Sequence, residues 1–155
     1  MNNVNIEIYE SLFSRLHTKV ENNVMFPHKA ILLISIMDLV RNGYLLTNKI
    51  YLENTIEEAF EYTWALHMSG EVPNVWTPFW HLNTECFWHF KPVKSFVELE
   101  RMIKVGKTPS FAKMKTVIEY AYIDNVLFDY FCQSSARTDL YRVLKNVYID
   151  QSKYI

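Results

Sequence analysis

The stretch FPHKAILLISIMDLVRNGYL, residues 26–45, is the strongest hydrophobic pattern in the chain. Pro27 suits the first position of a helix, and Gly43 suits the residue just past its end. Apolar side chains fall on most sides of the helix between them, which is typical of a helix surrounded by protein. They are Ile31, Leu32, Leu33, Ile34, Ile36, Met37, Leu39 and Val40. We therefore predict a central, buried helix on which the rest of the chain packs.

The segments on either side predict a mostly helical surrounding. Ile8, Leu12, Leu16 and Val20 recur at helical spacing, so a helix is expected over roughly residues 4–23. Another helix is expected from Thr55, because Thr55 and Glu58 have capping-box spacing. Further helices are predicted over residues 95–103, 123–131 and 135–149, and a short strand over residues 48–52.

The stretch TPFWHLNTECFWHF, residues 77–90, contains the triplet Phe-Trp-His twice. We predict a hairpin of two strands, residues 78–82 and 86–90, joined by a three-residue loop. Alternation along the strands then gives a core face and a mixed aromatic and histidine face. The core face holds Trp80, Leu82, Cys86, Trp88 and Phe90, and the other face holds Phe79, His81, Phe87 and His89. The mixed face fits either packing or ligand contact.

The same alternation argues against a metal site in this stretch. His81, Cys86 and His89 have the spacing of zinc ligands, but Cys86 falls on the face opposite the two histidines. Two ligands remain where zinc takes three or four from the protein. We expect no metal and no cofactor. The fold class predicted from all these segments is α+β, a mostly helical single domain over residues 1–155 with a small antiparallel β-sheet or hairpin.

Charge is segregated along a chain of 155 residues whose formal net charge is −1. Residues 52–77 hold five acids and no lysine or arginine, whereas residues 91–115 hold seven bases and two acids. The second segment predicts either a basic face on a nearly neutral protein or a solvated lysine-rich loop. Neutrality overall is not typical of a nucleic-acid binder, so any such function depends on this local patch.

Other features point to a cytoplasmic protein without catalytic machinery. The first ten residues, MNNVNIEIYE, carry no basic leader, and the longest apolar run is too short to cross a bilayer. Two cysteines suggest no disulfide framework. We expect no membrane partner. A glycine-rich phosphate loop, a G-x-S-x-G elbow and an HExxH motif are all absent, so nothing in the sequence favours an enzyme.

The start of the central helix is a candidate anion site. Free backbone N–H groups and the helix dipole favour an anion there, and His28 and Lys29 would add donors and charge. The alternatives are that His28 caps the helix and that Lys29 is solvated. Taken alone, the motif does not distinguish these readings.

Three pieces of the sequence, in this order and at this spacing, form a recognisable set: the Pro-His-Lys helix start, the paired Phe-Trp-His triplets and the closing segment AYIDNVLFDYFCQSSARTDLYRVLKNVYI. Over residues 26–149 the chain resembles the sulfur-binding domain that precedes HNH nuclease modules in modification-dependent bacterial restriction endonucleases. That family binds double-stranded DNA whose backbone carries a phosphorothioate. The resemblance implies a DNA-recognition domain that is not catalytic by itself and works with an HNH nuclease module in cis or in trans.

The resemblance also implies roles for particular residues. His28 and Lys29 match a His-Lys/Arg pair that contacts DNA, and Thr77 and Pro78 match a Tyr-Pro that forms part of an apolar pocket for sulfur. Thr77 stands where the family has tyrosine, which removes part of the pocket wall. Phe79 and His81 are expected as further walls, and the loop carrying Lys104 and Lys107 as a further DNA contact.

Two other classes of function are also compatible with the sequence. One is a protein-interaction or regulatory domain that has the same fold without DNA binding, which the acidic stretch from Glu53 to Glu71 favours. The other is a small-molecule or metal enzyme, for which the sequence shows no constellation of residues.

Overall fold

The computed structural model describes residues 3–151. Eight α-helices and five short strands form in this part of the chain. In chain order they are α1 (Asn3–Ser14), β1 (Val20–Glu21), β2 (Val24–Met25), α2 (His28–Arg41), β3 (Lys49–Ile50), α3 (Asn54–His67), α4 (Trp76–His81), β4 (Trp88–Pro92), α5 (Phe96–Val105), α6 (Phe111–Val117), β5 (Ile118–Ile123), α7 (Asn125–Phe131) and α8 (Ser134–Leu144). A 3-10 turn (Leu82–Thr84) follows α4, and a π-helical turn (Lys145–Ile149) follows α8. The predicted α+β class, mostly helical with a small antiparallel β-sheet, is confirmed, and a second, two-stranded sheet is present as well.

Helix α2 is central, as its apolar pattern predicts. Every residue from Lys29 to Met37 is buried, and the helix packs against α3, α4, α7 and α8. Pro27 precedes the helix as its N-cap residue, and Gly43 adopts a left-handed backbone with φ of 78° beyond its end. That conformation suits glycine, which has no Cβ to clash with the carbonyl.

A three-stranded antiparallel sheet, in the order β3-β5-β4, lies beside this helical core. Strand β5 is the middle strand, and Ala121 in it pairs with Ile50 on one side and Phe90 on the other. All three side chains are buried, so one face of the sheet joins the core. The strand at 48–52 was predicted from its residues, but β5 and α6 were not.

The predicted hairpin over residues 78–90 is wrong. Its first half forms α4 and the 3-10 turn, and only its second half contains a strand, β4, which pairs with β5. Pro78 fits the first turn of a helix because no N–H is needed there, and Asn74 Oδ1 accepts a hydrogen bond from the Thr77 N–H at 2.9 Å.

The sorting of faces in that hairpin is consequently wrong as well. Cys86, assigned to the core face, is exposed, whereas Phe79 and Phe87 from the other face are fully buried. The aromatic core itself is confirmed, because Trp80, Leu82, Trp88 and Phe90 are all buried. Large apolar side chains are buried whether the segment is a helix or a strand. The prediction of an aromatic core is therefore correct although the first predicted strand is a helix.

The end of α1 and the start of α3 also differ from the sequence prediction. Helix α1 ends at Ser14, and a two-stranded ribbon with left-handed Asn22 and Asn23 follows it. Tyr9 and Phe13 are buried side chains of α1, whereas Ile8 in α1 and Val20 in β1 are exposed. In α3 the N-cap residue is Glu53 and makes no side-chain cap, so the capping box predicted from Thr55 does not form.

None of the helices in residues 3–151 is long and apolar enough to span a membrane.

Candidate functional site

A cavity of about 430 Å³ opens at the start of α2. Three separate segments of the chain line it: the stretch between α1 and β1, the N-terminal turn of α2 with the residue before Pro27, and α4 with its 3-10 turn. The lining residues are His17, Thr18, Lys19, Phe26, His28, Lys29, Thr77, Pro78, His81 and Thr84. They converge because α4 packs on α2. Most of the lining is apolar.

Lys29 lies at the bottom of this site with its ammonium group fully engaged. The Nζ donates to Glu85 Oε2 at 2.8 Å, to Thr84 Oγ1 at 2.9 Å and to the His17 carbonyl oxygen. An ammonium has three donors, so these three acceptors use them all. Burial lowers the pKa of Lys29, and the Glu85 carboxylate opposes that shift. The solvated-lysine alternative is therefore wrong, and Lys29 has no donor left for a ligand in this arrangement.

Glu85 is a site residue that the sequence did not indicate. Its side chain is 5% exposed, and its Oε2 accepts from the His17 N–H at 2.8 Å as well as from Lys29. A buried carboxylate and a buried ammonium cancel one another, so the floor of the cavity is neutral overall. No local pattern around Glu85 could have revealed this, because its partners are 56 and 68 residues away along the chain.

His28 contributes an aromatic wall rather than a helix cap. Its ring stacks on Phe26 with centroids 5.4 Å apart and packs at a tilt on Trp64 at 5.1 Å. The Nδ1 atom is buried and has no hydrogen-bond partner, and the cap at Pro27 involves no side-chain bond. Burial lowers the pKa of His28, because the charged form loses hydration among these rings. The uncharged imidazole is therefore the favoured form.

His81 connects the cavity to the basic loop between α5 and α6. Its Nε2 lies 2.6 Å from the Thr108 Oγ1, and Thr108 follows Lys107 in that loop. Burial, and secondarily the charge of Lys29, lowers the pKa of His81. Lys107 is exposed, so its ammonium group faces water next to a residue that contacts the cavity wall. Lys104 is exposed too and pairs with Glu100 on the surface of α5 at 3.3 Å.

Besides His81, helix α4 contributes Thr77 and Pro78 to the cavity wall, but not Phe79. Both the N–H and the hydroxyl of Thr77 bond to Asn74 Oδ1, which orients the threonine at the cavity edge. Phe79 points into the core, where its ring packs edge-on against Trp88 with centroids 5.4 Å apart. The prediction that Phe79 forms a pocket wall is corrected accordingly.

Lys19 is a rim cation that sequence reasoning missed. Its Nζ lies 5.3 Å from the centre of the Phe26 ring, a cation–π contact at the cavity entrance. His17 is exposed beside it. Both residues lie in the segment that was predicted to continue α1 as a helix, so nothing marked them as neighbours of His28.

The histidines of the two triplets have different partners. His89 Nε2 lies 2.7 Å from Asp124 Oδ1, and the Tyr9 hydroxyl donates to the other oxygen of Asp124. Across residues 3–151, no three His, Cys, Asp or Glu side chains are grouped closely enough to hold a metal ion. The residues of the cavity likewise offer no such set.

Five of the residues predicted to form the site therefore meet in one cavity: His28, Lys29, Thr77, Pro78 and His81. Lys107 lies in the loop that touches it, Lys104 lies on the surface of α5, and Phe79 lies in the core. No protein-family model matches this chain, and no curated protein matches it.

Proposed function

We propose that this chain is a DNA-recognition domain that binds the backbone of double-stranded DNA at the cavity at the start of α2, with a preference for phosphorothioate-modified DNA. Cleavage would be performed by an HNH nuclease module supplied in cis or in trans. The observation that carries the proposal is that residues distant in the sequence meet in one cavity. His28 and Lys29 line a single cavity with Thr77, Pro78 and His81, although about 50 positions separate the two groups in the chain.

The chemistry of the cavity suits a weakly hydrated, polarisable sulfur atom. Phe26, Pro78 and the uncharged ring of His28 provide apolar walls, and an apolar site disfavours an oxygen that must give up its hydrogen bonds to water. The Lys29–Glu85 pair leaves no unpaired charge on the floor. The free N–H groups in the first turn of α2 point toward the cavity end of the helix and favour the remaining phosphate charge.

Attraction to the DNA backbone would come from cations on the rim. Because Lys29 is engaged internally, Lys19 and Lys107 are the better candidates for phosphate contacts. Lys104 lies just before the loop that carries Lys107, in the last turn of α5, where it pairs with Glu100. This assignment changes the residue roles that the resemblance implies: Lys29 organises the site, and neighbouring lysines contact the DNA.

Fluorescence anisotropy with two duplexes that differ by one phosphorothioate tests the proposal. We expect tighter binding to the modified duplex and a steep loss of affinity for both duplexes as salt rises, because phosphate contacts release counterions. The proposal fails if neither duplex binds at low salt. Equal affinity for the two duplexes would leave DNA binding intact but remove the preference for sulfur.

Variants separate the contribution of charge from that of the pocket. Lys107→Glu and Lys19→Glu should weaken both duplexes alike, while Arg142→Glu, an equal charge change on α8, should have little effect. Thr77→Tyr restores the residue type of the family and should raise the preference for the modified duplex. Lys29→Glu is unsuitable as a test, because it would place a second carboxylate against buried Glu85.

A protein-interaction domain of the same fold is the second candidate. Helix α3 favours it, because Tyr62 and Leu66 are mostly exposed on the same helix as Glu57, Glu58 and Glu61. An apolar patch with an acidic border is a common feature of protein interfaces. This candidate predicts that Lys107→Glu leaves function in the cell intact, whereas Leu66→Glu abolishes it.

A further inference from the structure

The outer face of the three-stranded sheet carries a row of aromatic rings. The register pairs Tyr122 in the middle strand with Lys49 on one side and His89 on the other, and pairs Tyr120 with Lys91. The alternate residues Ile50, Phe90 and Ala121 are buried on the inner face. The outer face therefore presents Lys49, Tyr51, His89, Lys91, Tyr120 and Tyr122.

The four rings on this face form a continuous series of contacts. Ring centroids are 5.3 Å apart for Tyr51 and Tyr120, 6.2 Å for Tyr120 and Tyr122, and 5.0 Å for Tyr122 and His89. The side chains are only partly covered: Tyr51 is 42% exposed and Tyr122 is 36% exposed. Isolated exposed aromatics need no explanation, but a contiguous row on an open sheet face indicates a contact surface.

The charges on this face are positive. None of its six residues is acidic, and Lys49 Nζ lies 5.1 Å from the centre of the Tyr120 ring. Three acids border the face, and one of them, Glu53, lines a cavity together with Tyr51 and Tyr120. Asp124 is already bonded to His89 and to Tyr9, and Glu119 lies at the register step of β5. A cationic, ring-bearing surface is complementary to a polyanion that also offers flat apolar groups.

We propose that this sheet face binds single-stranded nucleic acid, with unpaired bases stacked on Tyr51, Tyr120 and Tyr122 and phosphates paired with Lys49 and Lys91. Every base has a π-face, so aromatic stacking combined with lysines binds single strands with little sequence preference. A duplex buries the faces of its bases, so it cannot use the tyrosines in this way. None of these residues lines the cavity at α2, so this site is independent of the proposed duplex site.

The test is anisotropy of labelled single strands, oligo-dT and oligo-U of about 12 nucleotides, against a duplex of the same length. Alanine at Tyr120 or Tyr122 should weaken single-strand binding about 5- to 150-fold, which is the usual range for loss of one stacked base. Tyr122→Phe should retain binding, because stacking requires the ring and not the hydroxyl. Comparison of the two oligomers identifies DNA or RNA as the preferred strand.

Matched controls use exposed tyrosines elsewhere on the chain. Tyr44→Ala and Tyr62→Ala remove rings that are 73% and 66% exposed and lie outside the sheet, so single-strand affinity should not change. The double variant Lys49→Gln, Lys91→Gln should flatten the salt dependence of single-strand binding. His28→Ala should leave single-strand binding intact.

Three results would overturn the proposal: no single-strand binding by the wild-type chain, equal affinity of the Tyr120 and Tyr122 alanine variants and the wild type, or duplex binding that depends on the same tyrosines. Circular dichroism of each alanine variant establishes that it is folded before its affinity is compared.

Discussion

The aromatic surroundings of His28 disfavour the protonated, charged form of its ring. It lies between the rings of Phe26 and Trp64, and its buried Nδ1 has no hydrogen-bond partner. A charged imidazolium in this position would lose hydration without gaining an acceptor. The residue was predicted from the sequence as part of an anion site, but its neutral, aromatic environment depends on the contact with Trp64 in α3.

This environment makes stability depend on pH. The pKa of His28 is lower in the folded state than the ordinary value of 6.5, so the unfolded chain binds the proton more readily. The contribution of His28 to stability is complete above about pH 6.5 and decreases as pH falls through the lowered pKa. Urea unfolding of the wild type between about pH 7.5 and pH 5 should therefore show a loss of unfolding free energy on acidification.

His28→Phe provides the comparison, since phenylalanine keeps the aromatic contacts and cannot titrate. The loss on acidification should be smaller in this variant than in the wild type. Part of the loss remains, because burial also lowers the pKa of His81 and acts with the same sign. Identical pH profiles for the two proteins would contradict this account of His28.

At the scale of elements, the two Phe-Trp-His triplets show how context overrides local pattern. The first triplet lies at the end of α4, a helix whose start is stabilised by Pro78 and the Asn74 side chain. The second leads into β4, because β5 supplies the hydrogen-bond partners that an isolated strand lacks. Identical tripeptides thus differ in structure because their neighbours in space differ.

The Lys29–Glu85 ion pair joins α2 to the residue that follows the 3-10 turn, and both side chains are buried. Removing one partner leaves a buried charge uncompensated, which typically costs about 3–5 kcal/mol. We expect Glu85→Gln to lower the free energy of unfolding by an amount in this range, measured by urea denaturation. The double variant Lys29→Met, Glu85→Gln should lose less than the sum of the single variants, since no charge remains inside.

The exposed pair of Lys104 and Glu100 is the matched control for this prediction. Both side chains face water, so Glu100→Gln should change the unfolding free energy by less than about 1 kcal/mol. If Glu85→Gln and Glu100→Gln had equal effects, the buried pair would not have the structural role assigned to it.

At the scale of the whole molecule, the π-helical turn Lys145–Ile149 is hydrogen-bonded to the end of α1 and the residues that follow it. The Tyr148 hydroxyl donates to the Phe13 carbonyl oxygen and accepts from the Leu16 N–H, each at 2.7 Å. Burial raises the pKa of Tyr148 to about 12, so the hydroxyl keeps its proton and remains a donor at neutral pH. Gln151 makes a second connection, to the backbone of Met25. Helix α1 also packs directly on α8.

Tyr148→Phe tests this closure. The substitution leaves a buried N–H and a buried carbonyl oxygen without their partner, which should lower the free energy of unfolding by about 1–3 kcal/mol. Tyr62→Phe removes the hydroxyl of an exposed tyrosine and should change it by less than about 0.5 kcal/mol. A null effect of Tyr148→Phe in chemical denaturation would show that water replaces the hydroxyl at this position.

The sequence by itself determined the features that depend on residues close together in the chain. Apolar spacing determined the buried helix α2, aromatic content determined the core around Trp80 and Trp88, and left-handed Gly43 ended α2 where expected. These features are readable because burial of a helix depends on residues only three or four positions apart.

Only the tertiary structure decided which residues meet. The placement of β5 in the middle of the sheet, the burial of Lys29 against Glu85, and the aromatic outer face of the sheet all depend on residues far apart in the chain. A strand and a buried charge each need a partner that is close in space but distant in sequence. The spacing of residues within one segment does not specify that partner. For the same reason the sequence predicted the candidate site as a set of separate motifs. The cavity that they share exists only because α4 packs on α2.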